Sequence, residues 1–423
     1  MYQTDVLIIG GGAIGICTAY YLSRSGLRVT VVEKGKIGSG CSDKNAGLIV
    51  PSHIIPLAAP GMVAKGLKWM FNPESPFYLK PRLDRDLLAW LWSFSRACKP
   101  ARMRRSVPVL NELLQASDGL FDDLATTLQN TFGLERKGLI MLYKTGQALQ
   151  AEAKDAELAV EMGHDVRLLT PGELAELEPN IRMSAAGGIY YSHDAHLDPA
   201  RFVAAVRRSL NPELVQVHPE TAVQNLDVAN GRIISVSTSR GIFEAREVVL
   251  AAGAWSSALV KGLGLNMLLQ AGKGYSVTVK GSKQKPQAPV ILAEARVAVT
   301  PMGEALRFAG TLELSGLDRS ISRRRVNALL KAVPRYLPEV NPAERECTEV
   351  WSGLRPCSPD GLPYIGRVPQ VHNLTVATGH AMLGMTLAPI TGKLVSEIIQ
   401  GQSPSIELEC FAPDRCVRSN RFY

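Results

Sequence analysis

Cysteine is sparse and unpatterned. The seven residues (17, 41, 98, 347, 357, 410 and 416) are odd in number, scattered over 423 positions, and contain no C-x-x-C pair. Such a distribution supplies neither a disulfide framework nor a zinc knuckle; no metal site is expected, and a reducing cytoplasm is the compartment it suits. No secretory signal is expected either, because Met1-Tyr2-Gln3-Thr4-Asp5 has no basic stretch and no small-residue cleavage site. Aromatic residues are only 6% and charged residues 20%, yet hydrophobic residues reach 46%, which excludes disordered, collagen-like and disulfide-scaffold classes. There is no internal repeat and no low-complexity linker. A chain of this length then implies two or three domains, interleaved and not strung in series.

Long hydrophobic runs are limited to two uncharged stretches, Val6 to Ser23 and Leu374 to Gly392. The first holds three consecutive glycines and the second holds Gly379, His380, Gly384 and Pro389. A spanning helix is Leu-rich with few such breakers, so both read as globular segments.

The apolar run Asp5 to Ile9 has the character of a buried parallel strand. It ends in Gly10-Gly11-Gly12-Ala13-Ile14-Gly15, after which Ile16 to Arg24 is helix-compatible and Val29 to Glu33 is a second strand. This is a βαβ unit of about 30 residues with its glycines at the first turn. Gly10-x-Gly12-x-x-Gly15 lets backbone approach a pyrophosphate, and the following helix N-terminus offers N–H groups and partial positive charge to it. Glu33, ending the second strand, is placed to accept both ribose hydroxyls; a carboxylate there disfavours a 2′-phosphate but leaves NAD and FAD both open.

Further along, Pro51 to Pro108 departs from the nucleotide fold. Leu110, Leu113, Leu114, Leu120, Phe121, Leu124, Leu128 and Phe132 predict one buried face of a long helix. Thr170-Pro171-Gly172-Glu173 has the form of a capping box, and Asp198-Pro199 opens a helix over 200–210. Strand-like runs follow at 221–226, 232–238 and 247–252, then a strand-rich stretch ending in a helix over 322–333. Near the C-terminus a second glycine passage, Leu374 to Gly384, precedes helix-compatible Leu387 to Ile399. The expected architecture is α/β: a Rossmann-like, doubly wound cofactor domain with a mixed sheet (1–52, 166–264, 351–423), interleaved with an α+β substrate domain (53–165, 265–350).

The opening glycines, the loop Asn45-Ala46-Gly47-Leu48, the segment Leu250-Ala251-Ala252-Gly253-Ala254-Trp255, and the late Trp351-Ser352-Gly353-Leu354-Arg355-Pro356 with Asp360 to Gly366 resemble the FAD-dependent amine and amino acid oxidoreductases. That family contains D-amino acid oxidase, glycine oxidase and sarcosine oxidase. Pro56 to Gly61, Gly66-Leu67-Lys68-Trp69-Met70-Phe71 and Lys273-Gly274-Tyr275-Ser276 resemble its bacterial D-amino acid dehydrogenase branch, and the similarity runs over nearly the whole chain.

The resemblance implies one FAD stretched along the first domain, held non-covalently. Pyrophosphate would lie at Gly10, Gly12, Ala13, Ile14 and Gly15, adenosine at Glu33 and Lys34 with Val223 on its adenine side, and the flavin near Asn45, Ala46, Gly47 and Leu48. Ala252, Gly253 and Trp255, with the late passage Gly379, Leu383, Gly384, Met385 and Thr386, would complete the cofactor site. It also implies that D-amino acids are oxidised to 2-oxo acids and ammonia by hydride transfer to FAD, with electrons passed on to a quinone or other acceptor. The same-fold alternative is an oxygen-using oxidase of glycine, sarcosine or a proline derivative; an NAD-dependent dehydrogenase and a non-catalytic flavoprotein subunit are the other classes.

For substrate, Arg355 is the leading candidate: a planar guanidinium offers two parallel donors to a carboxylate, and the Arg of the family's G-L-R-P segment has this role. The competing assignment is a buried ion pair. Tyr275 either bonds substrate or packs in a strand, and His380 either assists at the flavin or orients backbone; His53 has no stronger claim. Met385 stands where the dehydrogenase branch would place Trp, and Cys357 does not align with the covalent flavin attachment of sarcosine-oxidising relatives. Cys41, Cys347 and Cys357 are expected to be packing residues. The excess of 47 Lys+Arg over 39 Asp+Glu includes Arg96, Lys99, Arg102, Arg104 and Arg105, just after Trp90, Trp92 and Phe94. These read as a solvated face or as a peripheral contact with anionic lipid on the inner face of the membrane. No nucleic-acid module accompanies the charge.

Overall fold

The computed structural model describes residues 2–70, 75–281, 284–342 and 347–418. Strand Tyr2–Ile9 runs parallel to Val29–Val32 on one side and to Gly241–Leu250 on the other. Val215–His218 extends the sheet beyond Val29–Val32, and Val371–Thr378 pairs parallel with Gly241–Leu250. Val6, Leu7 and Ile8 are at most 1% exposed, as a parallel strand covered on both faces requires. Antiparallel strands Val223–Ala229, Arg232–Thr238 and Tyr364–Val368 complete an eight-stranded mixed sheet. The fold is thus α/β with a Rossmann-like cofactor unit.

Helix Ala13–Ser23 packs directly on the late helix Ala388–Ile399. A Cβ at Gly392 would stand 2.6 Å from the Cys17 carbonyl carbon, so the two backbones touch where that glycine sits. The two uncharged stretches therefore become strand, turn and helix pieces of the eight-stranded sheet and the helix pair packed beside it. Among the described residues no helix is long and apolar enough to cross a membrane.

A second sheet of nine strands is mostly antiparallel and carries the other core, built around Ile140, Val277, Val290, Val299 and Phe308. Helix Arg323–Tyr336 covers it. The long helix Pro100–Thr127 buries Leu110, Leu113, Leu114, Phe121 and Leu124. Its expected continuation to Phe132 is broken by left-handed Gln129 and Asn130, yet Phe132 stays buried edge-on to Phe202 at 5.2 Å. The Thr170–Glu173 capping box and the Asp198 cap form as their residue types demand.

Two stretches lie elsewhere than expected. Strands Val166–Leu169 and Gly187–Tyr191, assigned above to the cofactor domain, pair with each other and with Leu139–Tyr143 in the second sheet. Residues 351–357 also belong there, within strand Cys347–Cys357. Caps and periodicity fix an element; the sheet a strand joins is decided by pairing with residues far away in sequence. Phe71 and the side chain of Cys347 fall outside the described residues.

Candidate active site

Gly10 turns the chain at φ +117°, and a Cβ there would lie 2.3 Å from the Ala251 carbonyl oxygen. A Cβ on Gly15 would lie 1.9 Å from the Gly10 carbonyl oxygen. The turn and the helix start are thus pressed together with no room for side chains, which keeps the turn's own side chains away from the N-terminus of helix Ala13–Ser23. No acidic side chain occupies its first turn, and the Ala13 N–H is capped from outside by Ser42 Oγ at 2.9 Å. Glu33 accepts from the Gly11 and Gly35 amides at 2.8 and 2.9 Å, which fixes its carboxylate beside the turn. Lys34 places its ammonium 3.0 Å from the Trp255 ring centroid.

These groups open into a cavity of about 1090 Å³. Of the residues singled out from sequence, Gly10, Gly12, Ala13, Ile14, Glu33 and Lys34 line it, and so do Asn45, Ala46, Gly47 and Leu48. Val223, Ala252, Gly253 and Trp255 form another part of the wall, and Leu383, Gly384, Met385, His380 and Arg355 a third. Gly15, Gly379 and Thr386 support the wall from behind. Gly15 lies under the turn, Gly379 against Tyr364, and Thr386 ties the late passage to the Asn45 loop. Its Oγ1 donates to the Leu48 carbonyl at 3.3 Å and accepts from the Val50 amide at 3.2 Å.

The loop itself is held by Asn45, whose side-chain amide donates to the carbonyls of Cys41 and Ser42 while its oxygen accepts from Gly47 N–H at 2.8 Å. Arg307 donates to the Asn45 carbonyl at 3.0 Å from the second sheet. Ser42 and Arg307 were not anticipated. Neither stands in a motif, and only the third dimension brings them to the loop.

Arg355 projects from strand Cys347–Cys357 into the cavity wall, and its Nη1 donates to the Thr311 carbonyl at 2.9 Å. Among the described residues no carboxylate lies within ion-pair distance of its guanidinium, so the buried-ion-pair alternative is not what the structure contains. Tyr275 behaves otherwise. It is 1% exposed, does not line the cavity, and its hydroxyl accepts from the Ser322 amide at 3.4 Å behind the sheet. The strand-packing assignment applies to it, and a substrate contact is withdrawn.

His380 is buried and its Nε2 pairs with Thr391 Oγ1 at 3.0 Å. Burial drives its pKa down to about 3, which keeps the ring neutral and suits a positioning group better than a proton donor. Cys357 is fully buried away from the cavity, its thiol pushed up to about 12 by burial, so it is a packing residue and no flavin anchor. Cys41, in contrast, does line the cavity.

One polar cluster in the wall was missed. Asp194 is 0% exposed and accepts from the Ser52 amide at 3.1 Å and the Ser52 hydroxyl at 2.7 Å, with His53 Nδ1 3.8 Å away. Burial raises Asp194 to about 7 and lowers His53 to about 4, so the histidine supplies no countercharge. Ser52 and His53 line the cavity from the loop that follows Val50.

The sequence signature of the DAO group, FAD dependent oxidoreductase, matches residues 5–398. The chain belongs to this family. Among curated relatives, the D-amino acid dehydrogenase of Cereibacter sphaeroides (strain ATCC 17029 / ATH 2.4.9) is 32% identical over 422 residues, covering 98% of this chain and 96% of that protein. Glycine oxidase from Geobacillus kaustophilus superposes with a TM-score of 0.80 at 26% identity, covering 98% and 99% of the two chains. L-proline dehydrogenase from P.horikoshii shares the fold, with a TM-score of 0.76 at 18% identity and 99% of each chain covered.

The cavity fits the cofactor of the family. It has the glycine cradle that a Cβ would fill, a helix N-terminus with no acidic side chain in its first turn for a diphosphate, and a carboxylate at the end of the second strand. At about 1090 Å³ it also exceeds the usual ~300–1,000 Å³ of a small-ligand site, as suits an extended dinucleotide with a substrate beside it.

Proposed function

We propose that this FAD-dependent oxidoreductase is a D-amino acid dehydrogenase. It would remove hydrogen from the α-carbon of D-amino acids, whose imines hydrolyse to 2-oxo acids and ammonia. The observation that carries the reading is Arg355, a cation in the cavity wall that meets no carboxylate among the described residues. A substrate carboxylate completes its pairing and is fixed in orientation by two parallel N–H donors. Bound FAD supplies the hydride acceptor. The residues that would hold it are Gly10 to Gly15, Glu33 and the Asn45–Leu48 loop, stiffened by Thr386 and Arg307. The task left to the protein is alignment, and neutral His380 imposes no charge at this wall. The full-length 32% identity to a D-amino acid dehydrogenase supports the substrate class. Likeness to a glycine oxidase favours a second reading, an oxygen-using oxidase.

For the electron acceptor we infer a quinone at the inner face of the membrane. Helix Arg85–Ala97 turns Leu88 and Trp92 outward, 58% and 67% exposed, and Leu83, just before it, and Leu67, on helix Met62–Met70, are exposed as well. Lys99, Arg104 and Arg105 are exposed at the start of the next helix. Apolar tips beside basic groups suit an anionic interface.

Arg355→Ala tests the central claim. Two charge-assisted hydrogen bonds at roughly 1.5–3 kcal/mol each make a KM increase of about 10²- to 10⁴-fold the expected result, with the yellow cofactor retained. An unchanged KM, or a wild-type flavin that no D-amino acid bleaches anaerobically, overturns it.

A further inference from the structure

The motif Lys273-Gly274-Tyr275-Ser276 lies in strand Gln270–Lys280, between strand Ala305–Leu314 and strand Cys347–Cys357. Alternation along a strand sends its side chains to opposite faces. Lys273 and Tyr275 go to the far face, where Lys273 is buried against Glu313 at 3.4 Å and Asp318 at 3.2 Å. Gly274 and Ser276 go to the cavity face. Ser276 Oγ donates to the Lys44 carbonyl at 2.8 Å and so helps to seat the Asn45 loop.

Gly274 has a different neighbour. A Cβ built on it would stand 2.1 Å from Arg355 Nη1, 2.5 Å from Cζ and 2.5 Å from Nη2. The guanidinium therefore lies flat over a position that has no side chain. Its far rim is also shaped: the ladder slips by one residue between the pairs Lys273–Glu313 and Tyr275–Gly310, so Thr311 and Leu312 together oppose Gly274. Thr311 takes φ +67°, a left-handed conformation that β-branched residues rarely adopt and that the first residue of such a bulge usually meets with glycine. The bulge turns the Thr311 carbonyl off the regular ladder and onto Arg355 Nη1 at 2.9 Å. The Thr311 hydroxyl is buried without a partner among the described residues, so it is the carbonyl of this residue that the arrangement uses.

We propose that Gly274 is a positioning residue for substrate binding, forming with the Thr311 carbonyl a slot that aims the Arg355 guanidinium at the substrate carboxylate. Strained backbone persists where surrounding structure over-determines it, and here the strain lies against the cation that would meet the substrate. This inference rests on the carboxylate-binding role proposed above for Arg355.

Gly274→Ala separates the two claims. Gly274 is not in a left-handed conformation, so alanine suits its backbone, and the clash falls on the flexible end of Arg355. In the holoenzyme the variant should keep its flavin and melting temperature. Its KM for D-amino acids, and the Kd of benzoate read from the flavin absorbance, should rise together by about 10- to 100-fold, the worth of one charge-assisted hydrogen bond. In an Arg355→Lys background the same substitution should change both constants less than twofold, because a lysine ammonium has no plane to lie across the slot.

Constants unchanged by Gly274→Ala, full multiplicative effects in the double variant, or loss of flavin from Gly274→Ala alone would each overturn the slot. If Arg355→Ala raises KM while Gly274→Ala does nothing, only this inference fails. If Arg355→Ala itself leaves KM unchanged, the functional reading fails first.

Discussion

Asp194 is a carboxylic acid with 0% exposure, two hydrogen bonds from Ser52 and an uncharged histidine beside it. Burial lifts it from 3.8 to about 7; the Ser52 hydrogen bonds oppose this, and the charge of Asp118 adds to it. The folded chain then holds a proton that the unfolded chain has released. Between pH 4 and 7 this group binds fewer protons in the unfolded state than in the native one, so its own contribution to stability falls as pH rises. The lowered His53 and His380 act in the opposite direction and are common to wild type and variant. A shift of about three units is worth ~4 kcal/mol, of which ~2 kcal/mol is lost between pH 5.5 and 7. An unfolding entropy of ~2.1 cal/mol/K per residue makes 1 kcal/mol worth about 1 °C in a chain of this length. Asp194→Asn keeps an acceptor for Ser52 and cannot ionise. Melting curves read by flavin fluorescence, which rises on cofactor release, should give an Asn variant whose Tm, relative to wild type, improves by about 2 °C from pH 5.5 to 8. Parallel pH dependences would refute the reasoning, since they would mean that Asp194 stays ionised throughout or meets a countercharge in solution.

Other outcomes follow from the same geometry. Gly15→Ala forces a Cβ to 1.9 Å from the Gly10 carbonyl, a backbone atom that cannot step aside, and should yield colourless protein; a full flavin spectrum would contradict the proposed cradle. If the exposed Leu67–Trp92 surface meets lipid, the enzyme co-sediments with anionic vesicles and not with neutral ones, and Trp92→Ser weakens this severalfold. Quinone in those vesicles should reoxidise the reduced enzyme faster than dissolved oxygen does, whereas faster reaction with oxygen favours the oxidase reading.

The nucleotide unit was legible because strand, glycine turn, helix and acid all lie within about 30 residues, where each local signal reinforces the next. Thr170 and Asp198 were legible for a similar reason, since capping chemistry acts over three residues. Tyr275 could be read either way because a strand shows two faces and nothing local says which one meets the ligand. Its neighbours Gly274 and Ser276 hold the functional face, with the less conspicuous side chains. Ser42, Asp194, Arg307 and Thr311 left no signal, for each acts through a partner that only the fold brings near: the Ala13 amide, Ser52, the Asn45 carbonyl and Arg355. The domain limits erred by the same rule, because the partner of a strand is not written in the strand.

The layer that joins Ala13–Ser23 to Ala388–Ile399 has a temporal consequence. A polypeptide emerging from the ribosome exposes its glycine turn more than 350 positions before the helix that must lie against it is made. Until then the apolar side of the first helix lacks its cover, and the wall contributed by Leu383 to Met385 does not exist. Loading with the prosthetic group accordingly awaits that late helix, and a ribosome that stops before residue 388 releases a product unable to close around it.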